Sequence, residues 1–406
     1  MKFYKKTIRD VPLSGHTVLV RVDYNVPLAR DGSISDDLRI RASLPTLQYL
    51  LARGCKLVLI SHMGRPEGRD MSLSLEPVAE RLGELLEKPV IFVDDINGDG
   101  AYQAVRKAPR SSIIMLQNLR FDPGEEADNE RFAKGIAHAA QADYFVQDGF
   151  GVVHRAHAST RAITLYVPSV AGLLLEHEYA TITNTMTNPK LPLIAVLGGA
   201  KVSDKIGLVE QFVRLADTIL IGGAMANTFL AYKGIDVGAS KKEDGQTETL
   251  DKIYQFAREK VGDAVDDFIV LPTDAAVATS VDAREARRNR TLDAIESDDI
   301  ILDIGPETIE RYTKIVAEAK TVLWNGTMGM AELPNFAHGS ARLALTLATH
   351  PKVISILGGG DTADFVLKWD VKQGGSFTHV STGGGAGLDL MAGKKLPGIE
   401  SLLDAS

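Results

Sequence analysis

The chain has 406 residues, 45% of them hydrophobic, and a formal net charge of -8; it is longer than the roughly 250 to 300 residues at which one core stops growing, so two domains are expected. The acidic balance excludes general nucleic-acid binding and requires any cationic site to be local. The one cysteine, Cys55, excludes a disulfide framework and is expected to be reduced and packed; MKFYKKTIRD lacks the apolar stretch of a signal peptide, and no apolar run approaches the roughly 18 residues of a membrane span. A soluble cytoplasmic protein is the expectation.

From the N-terminus, short runs of Val, Ile and Leu alternate with segments of helical period. VLVRVDYNV supplies Arg21, Asp23 and Asn25, and DDLRI follows with Arg39. KLVLI runs into His62 and Arg65 before a helical segment over 75–87. IIMLQNL leads to Arg120, and YFVQDGFGVV to His154, Arg155 and His157. VPSVAGLLL closes the first half; residues 176–187 read as a helix, which Asn188, Pro189 and Lys190 break. The second half ends its runs in glycine instead. LPLIAVL meets Gly198, Gly199, Ala200 and Lys201, and TILI meets Gly222 and Gly223. After helical segments over 249–260 and 307–320, VISIL meets Gly358, Gly359, Gly360 and Asp361, and HVST meets Gly383, Gly384 and Gly385.

Apolar runs without polar alternation, separated by amphipathic helices, are what strands buried on both faces of a parallel sheet require. The expected class is α/β: two Rossmann-like three-layer lobes, each a doubly wound, mainly parallel sheet, joined by a hinge helix. Ligands bind such sheets outside the carboxyl ends of the strands, where the arginine and glycine clusters fall. Guanidinium forks suit a small substrate bearing phosphate and carboxylate. Glycine turns let backbone N–H groups approach a polyphosphate; Lys201 and Lys205, placed one helical turn apart beside a helix start, would face the same chain. Asp361 offers the hard oxygen that Mg²⁺ prefers. His154 and His157 lack partners at zinc spacing, so structural or substrate hydrogen-bonding roles are favoured. There is no Walker A sequence, since residues 387–395 have the wrong spacing, and no GxGxxG fingerprint follows a strand.

VRVDYNVP, SHMGRP, NLRF, HRAH, LGGAKVSDK, WNGTMG, GGGDT and STGGGAG, in that order from residue 21 to the closing LPG at 396–398, closely resemble the phosphoglycerate kinase family. The resemblance implies a monomeric, two-lobed, hinge-bending enzyme of glycolysis that moves a phosphoryl group between 1,3-bisphosphoglycerate and MgADP, giving 3-phosphoglycerate and MgATP. It implies a glycerate-binding domain over 1–172, a hinge helix over 173–188 and a nucleotide-binding domain over 189–390, with the tail from about residue 391 returning to the first. Asp23, Asn25, Arg39, His62, Arg65, Arg120 and Arg155 would hold the glycerate substrate. Gly199, Ala200, Lys205, Gly222, Gly223, Gly305, Asn325, Glu332, Gly359, Gly360, Asp361 and Thr362 would serve the nucleotide, with Asp361 toward Mg²⁺. Arg39, Lys201, Lys205, Gly360 and Gly384 would act on the transferring group. Its acceptor is a carboxylate already ionised at neutral pH, so no general base is required. The sequence departs from the family's usual wording at Gln117 (for Glu), Gly149 (Ala), Ala224 (Gly), Thr327 (Pro), Ala331 (Phe), Gly387 (Ser) and Asp389 (Glu). Two other readings are a catalytically weak, metabolite-binding relative and an NAD-dependent dehydrogenase; intact Lys201, Lys205 and Asp361 weigh against the first.

Overall fold

A computed structural model describes residues 3–29, 31–282, 284 and 286–405. The chain divides into two compact units, one of residues 1–180 with 395–406, the other of residues 181–394.

The first unit runs β1 (Thr17–Arg21), α1 (Leu38–Leu51), β2 (Lys56–Ile60), α2 (Glu76–Leu86), β3 (Val90–Val93), α3 (Asp99–Lys107), β4 (Ile113–Leu116), α4 (Glu130–Ala139), β5 (Tyr144–Gln147), β6 (Ser169–Ala171) and α5 (Leu173–Thr187), whose last turns carry the chain into the second unit. The strands form one sheet in the order β3-β4-β2-β1-β5-β6, and every pairing is parallel. Alternate residues of one run serve opposite layers. Val18, Val20, Leu57 and Leu59 join Ile40 and Leu47 of α1 and Val78 and Leu82 of α2. Leu19, Val58, Ile60 and Phe145 join Val105 of α3 and Phe132 and Ile136 of α4. Each such side chain contributes about 1.5 to 3 kcal/mol of burial, which is why these strands carry no polar alternation.

The second unit runs β7 (Leu193–Leu197), α6 (Ile206–Leu215), β8 (Thr218–Ile221), α7 (Gly223–Tyr232), α8 (Thr247–Val261), α9 (Val265–Phe268), β9 (Ile269–Val270), β10 (Asp274–Ala278), β11 (Arg288–Thr291), β12 (Ile300–Ile304), α10 (Pro306–Glu318), β13 (Thr321–Asn325), α11 (His338–Thr349), β14 (Ile354–Gly358), α12 (Gly360–Trp369), β15 (His379–Val380) and α13 (Gly385–Met391). Its six-stranded sheet, β15-β14-β13-β7-β8-β9, is again wholly parallel. A three-stranded antiparallel sheet, β11-β10-β12, stands beside it and was not anticipated from the sequence. A last short helix, α14 (Pro397–Glu400), belongs to the first unit, where Gly398 donates to the Val153 carbonyl at 2.9 Å and Lys5 Nζ donates to the carbonyls of Glu400 (2.8 Å) and Leu402 (3.1 Å).

The helix read over 176–187 begins earlier, at Leu173. Its first N–H groups are satisfied from a distance: Leu173 donates to Thr46 Oγ1 (2.9 Å) and Leu174 to Asp148 Oδ1 (3.0 Å), while Thr46 donates to the same carboxylate oxygen (2.9 Å). This cap comes from α1 and the end of β5, so nothing local in the sequence announces it. Asp148 is fully buried, and desolvation pushes its carboxyl up to about 7.

Candidate active site

In the first unit the loops at the carboxyl ends of β1, β2 and β4 are tied to one another. Tyr24 N–H donates to Ser61 Oγ (2.9 Å) and Gly64 N–H to Asn25 Oδ1 (2.8 Å). Asn118 accepts from Met63 N–H (3.1 Å) and Arg120 N–H (3.1 Å) and donates to the carbonyls of Met63 (2.8 Å) and Leu73 (2.9 Å). Arg120 in turn donates to the Gly64 carbonyl at 2.6 Å. Arg39, in the first turn of α1, donates to Asp23 Oδ2 (3.0 Å) and the Asn25 carbonyl (3.2 Å). Five cations therefore share one electrostatic field. Burial first, and then Arg21, Arg120, Arg39 and Arg155 around it, hold the His62 imidazolium well below its ordinary range. Burial also lowers Arg120, and Arg155 and Arg65 lower it further. His157 is pushed down to about 4 by burial and by Arg120, Arg155 and Arg21. Of the seven residues expected to hold a small anion, Asp23, Asn25, His62, Arg65 and Arg120 stand on these loops, Arg39 opens α1 and Arg155 lies on the segment after β5.

The layer beneath was not legible in sequence. Arg21 is 1% exposed; it donates to Ser159 Oγ (2.8 Å) and the Val22 carbonyl, and its remaining nitrogen lies 3.2 Å from His62 Nδ1. A guanidinium only donates, so Nδ1 accepts and the imidazole carries its proton on Nε2. Glu125, equally buried, accepts from Ser159 N–H (3.0 Å) and Ser159 Oγ (2.6 Å) and faces Arg21 at 3.9 Å. Desolvation raises its carboxyl despite these partners. Neither Glu125 nor Ser159 stands in a pattern that marks it in sequence, since tertiary contact alone brings them to Arg21.

The glycine turns of the second unit work differently from the expectation. Most of their N–H groups are already engaged: Gly198 donates to the Asn325 carbonyl (2.9 Å), Gly199 to Thr327 (3.1 Å), Gly222 to Leu197 (2.8 Å) and Gly223 to Met328 (2.9 Å). At Gly198 and Gly223 glycine is required because backbones touch. A Cβ on Gly198 would stand 2.1 Å from the Thr327 carbonyl oxygen, and one on Gly223, at φ +62°, 2.6 Å from Gly199 N. The result is a floor of packed main chain with open amides elsewhere. On α12 the first helical bond is Ala363 N–H to Gly359, which leaves the N–H groups of Gly360, Asp361 and Thr362 at a helix N-terminus. The Thr362 hydroxyl accepts from Gly326 N–H at 2.7 Å, so it braces the loop after β13.

The helical-turn relation between Lys201 and Lys205 is not found. Lys201 is exposed and precedes the helical residues; a single 3₁₀ turn spans Ser203–Lys205, and α6 begins only at Ile206. The amides before that turn are taken by Glu243, which accepts from Val202 N–H (2.8 Å), Ser203 N–H (3.1 Å) and the Ser203 hydroxyl. Lys205 instead points into the glycine floor, donating to the carbonyls of Gly198 (2.6 Å) and Asn325 (3.4 Å). Desolvation pushes it down to about 8, against the pull of Asp361.

A cavity of about 900 Å³ opens beside this floor. Gly199, Ala200, Gly223, Glu332 and Asp361 line it, together with Thr327 and the apolar Leu230, Leu292 and Ile300. Asn325, 1% exposed, has neither carboxamide atom paired, and its nitrogen would lie 2.8 Å from a Cβ on Gly359. A buried, unpaired amide beside a glycine turn fits a ligand that supplies both donor and acceptor surroundings. Gly305 serves a structural purpose as well: it is the N-cap of α10, where a Cβ would collide with the Asp274 carboxylate (2.2 Å), which accepts from Glu307 N–H (2.9 Å) and Thr308 N–H (2.8 Å). Gly384 stands at φ +48° before α13. Asp361 is an exposed carboxylate on the cavity wall and fits a hard cation that arrives with phosphate ligands. The described acidic cluster with metal-like spacing, Glu296, Asp298 and Asp299, lies elsewhere, and Asp299 is engaged by Arg288 at 2.9 Å.

Two departures from the family wording find local reasons. Gln117 is buried and uses both ends of its amide, accepting from Leu75 N–H (3.1 Å) and donating to Asp94 (2.8 Å) and Ser74 (3.0 Å). A carboxylate there would face Asp94. Gly149 lies so close to Asp23 N that a Cβ would meet it at 3.2 Å.

Comparison with known proteins places these features in one family. The phosphoglycerate kinase family model matches residues 8–394. The chain is 43% identical over 403 residues to the phosphoglycerate kinase of Dictyoglomus turgidum, covering 98% of this chain and 99% of that one, and 44% identical over 406 residues to that of Chloroflexus aggregans, covering 99% of both. The solved phosphoglycerate kinase of Coxiella burnetii superposes with a TM-score of 0.82 at 34% identity, and that of Pyrococcus horikoshii OT3 with 0.84 at 32%, each comparison covering 98% of both chains. A motif order preserved from end to end, two parallel-sheet units and identity of this extent have one common explanation: the chain belongs to the phosphoglycerate kinase family and is a phosphoryl-transferring enzyme of glycolysis.

Proposed function

We propose that the chain catalyses reversible in-line transfer of a phosphoryl group between 1,3-bisphosphoglycerate and MgADP, giving 3-phosphoglycerate and MgATP. The observation that carries this reading is the guanidinium field around His62, which is suited to a small acid bearing both phosphate and carboxylate. Asp23, Asn25, Arg39, His62, Arg65, Arg120 and Arg155 hold that acid, and His62 donates through Nε2–H.

In the ATP-consuming direction a carboxylate oxygen of 3-phosphoglycerate attacks the γ-phosphorus, the bond to the β-phosphate oxygen breaks, and its electron pair leaves on ADP. The nucleophile is already ionised, since carboxyl pKa values lie near about 4, so no side chain need remove a proton. Catalysis then consists of positioning and charge neutralisation. Arg39 and Lys201 neutralise the transferring group, with the Gly384 amide adding to them. Lys205 and the α12 amides at Gly360 to Thr362 hold the nucleotide phosphates, Glu332 the ribose, and Gly222 and Gly223 the base side. Asp361 would hold Mg²⁺, which supplies further charge neutralisation on the phosphates.

Bending about α5 brings both substrates together and excludes water from the acyl phosphate. The enzyme acts as a cytoplasmic monomer, in keeping with Cys55 being a buried thiol bonded to the Leu13 carbonyl. The deciding assay is 3-phosphoglycerate-dependent ADP formation from MgATP. Its absence at any substrate concentration refutes the proposal. Small-angle scattering with both ligands should show a smaller radius of gyration than the free enzyme, and an unchanged radius removes the closure step.

A further inference from the structure

The cavity of the second unit carries a hydroxyl that the reaction scheme above leaves without a role. Thr327 follows the turn at Gly326, φ +93°, after β13. Main-chain contact pins it in place: its carbonyl accepts from Gly199 N–H at 3.1 Å, and Cβ atoms on Gly198 or Gly223 would stand 2.1 and 2.9 Å from that oxygen. The residue lines the cavity while being only 8% exposed. Among the described residues its hydroxyl has no hydrogen-bond partner, yet it is absent from the side-chain atoms sealed away without one, so it stays accessible. A nearly buried hydroxyl normally finds a partner.

Its surroundings define the chemistry of that partner. Lys205 Nζ would lie 2.7 Å from a Cβ on the adjacent Gly326 and 3.0 Å from one on Gly199, so a cation sits directly beneath this stretch of floor. Asp361, which interacts with Lys205, lines the same cavity, and Gly326 N–H bonds the Thr362 hydroxyl at the start of α12. A ligand atom beside the hydroxyl is thus within the field that favours negative charge. The apolar lining, Leu230, Leu292 and Ile300, comes from other elements and suits a base instead.

We propose that the Thr327 hydroxyl donates a hydrogen bond to a phosphate oxygen of the bound nucleotide, making Thr327 a binding residue that the family's usual proline cannot replace. This rests on the nucleotide reading of the cavity given above. Binding of MgADP, AMP and adenosine to the full-length wild type and to T327V, T327S and T327P, followed by calorimetry, tests it. T327V removes the hydroxyl at nearly constant shape and should weaken MgADP roughly tenfold, as expected for a hydrogen bond to a charged group. T327S should stay within about twofold of wild type, and adenosine, which has no phosphate, should bind wild type and T327V equally. The KM for 3-phosphoglycerate should not move.

MgADP affinity unchanged in T327V overturns the proposal, as does an equal loss for MgADP and adenosine, which would signal a packing defect. Should T327V fail to fold, T327P, which installs the family's own residue, must show the loss for MgADP and none for adenosine. A wild type that binds no MgADP at all would instead defeat the nucleotide reading.

Discussion

If Lys205 holds the nucleotide phosphates as proposed, nucleotide binding should be coupled to proton uptake. In the free protein its ammonium is pushed down from the ordinary 10.5 to about 8 by burial, with Asp361 too weak an opposing charge to restore it. A phosphate charge about 3 to 4 Å away, at an effective dielectric constant of about 20, is worth roughly 4 to 5 kcal/mol, or about three pKa units. Binding should therefore return Lys205 to full protonation. At pH 8 about half a proton is taken up per MgADP bound, and at pH 9 about 0.9; between pH 7 and pH 9 affinity falls about tenfold. Calorimetry in buffers of different ionisation enthalpy reads the uptake directly, because the apparent binding enthalpy varies in proportion to it. K205M should bind MgADP more weakly and show none of this dependence between pH 8 and 9. Equal apparent enthalpies in all buffers at pH 9 for the wild type would refute the argument. The same shift sets a stability trend: the unfolded chain holds the extra proton between about pH 8 and 10.5, so the ligand-free second unit should gain stability as pH rises through that window.

Replacing Arg39 by Met should lower kcat by on the order of 10² or more while leaving MgADP affinity nearly unchanged, because Arg39 is bonded within the first unit to Asp23 and Asn25; steady-state kinetics with a separate ADP titration decides. G198A places a methyl 2.1 Å from a main-chain oxygen that cannot rotate away, so it should cost about 3 kcal/mol or more in stability and lose nucleotide binding with it; a melting curve and an ADP titration matching wild type would contradict the packed-floor account. Asp148, raised to about 7 in the fold, gives the wild type stability that is complete below the ordinary carboxyl range and is lost as pH rises toward 7. D148N retains an acceptor for Leu174 N–H and should flatten that part of the pH–stability curve, which chemical denaturation at pH 4.5 to 8 measures.

Composition and spacing carry a good deal of this protein. The parallel sheets follow from runs such as KLVLI and LPLIAVL, whose residues are buried alternately in two opposite layers and so cannot alternate with polar ones. Arg65, Arg120 and Arg155 follow the carboxyl ends of strands, where such sheets offer ligand sites, and Arg39 opens α1; the identity of each is a local fact of the chain. What spacing could not supply was the partner of any group whose contacts come from far away. Lys201 and Lys205 are four residues apart in the chain, yet Glu243 takes the amides between them and only Lys205 turns under the glycine floor. Gly198 and Gly223, which read as open amides for phosphate, are sites where one backbone touches another, whereas Gly360 and Gly384 face open space. Glu125 and Ser159 meet Arg21, and Thr46 and Asp148 cap α5, across separations of more than a hundred residues in most of these pairs. Periodicity and residue chemistry are properties of neighbours along the chain, so the sequence determined the layers, the class and the charged groups. Which donor finds which acceptor depends on how distant segments fill space around one another, and only the folded chain decided that.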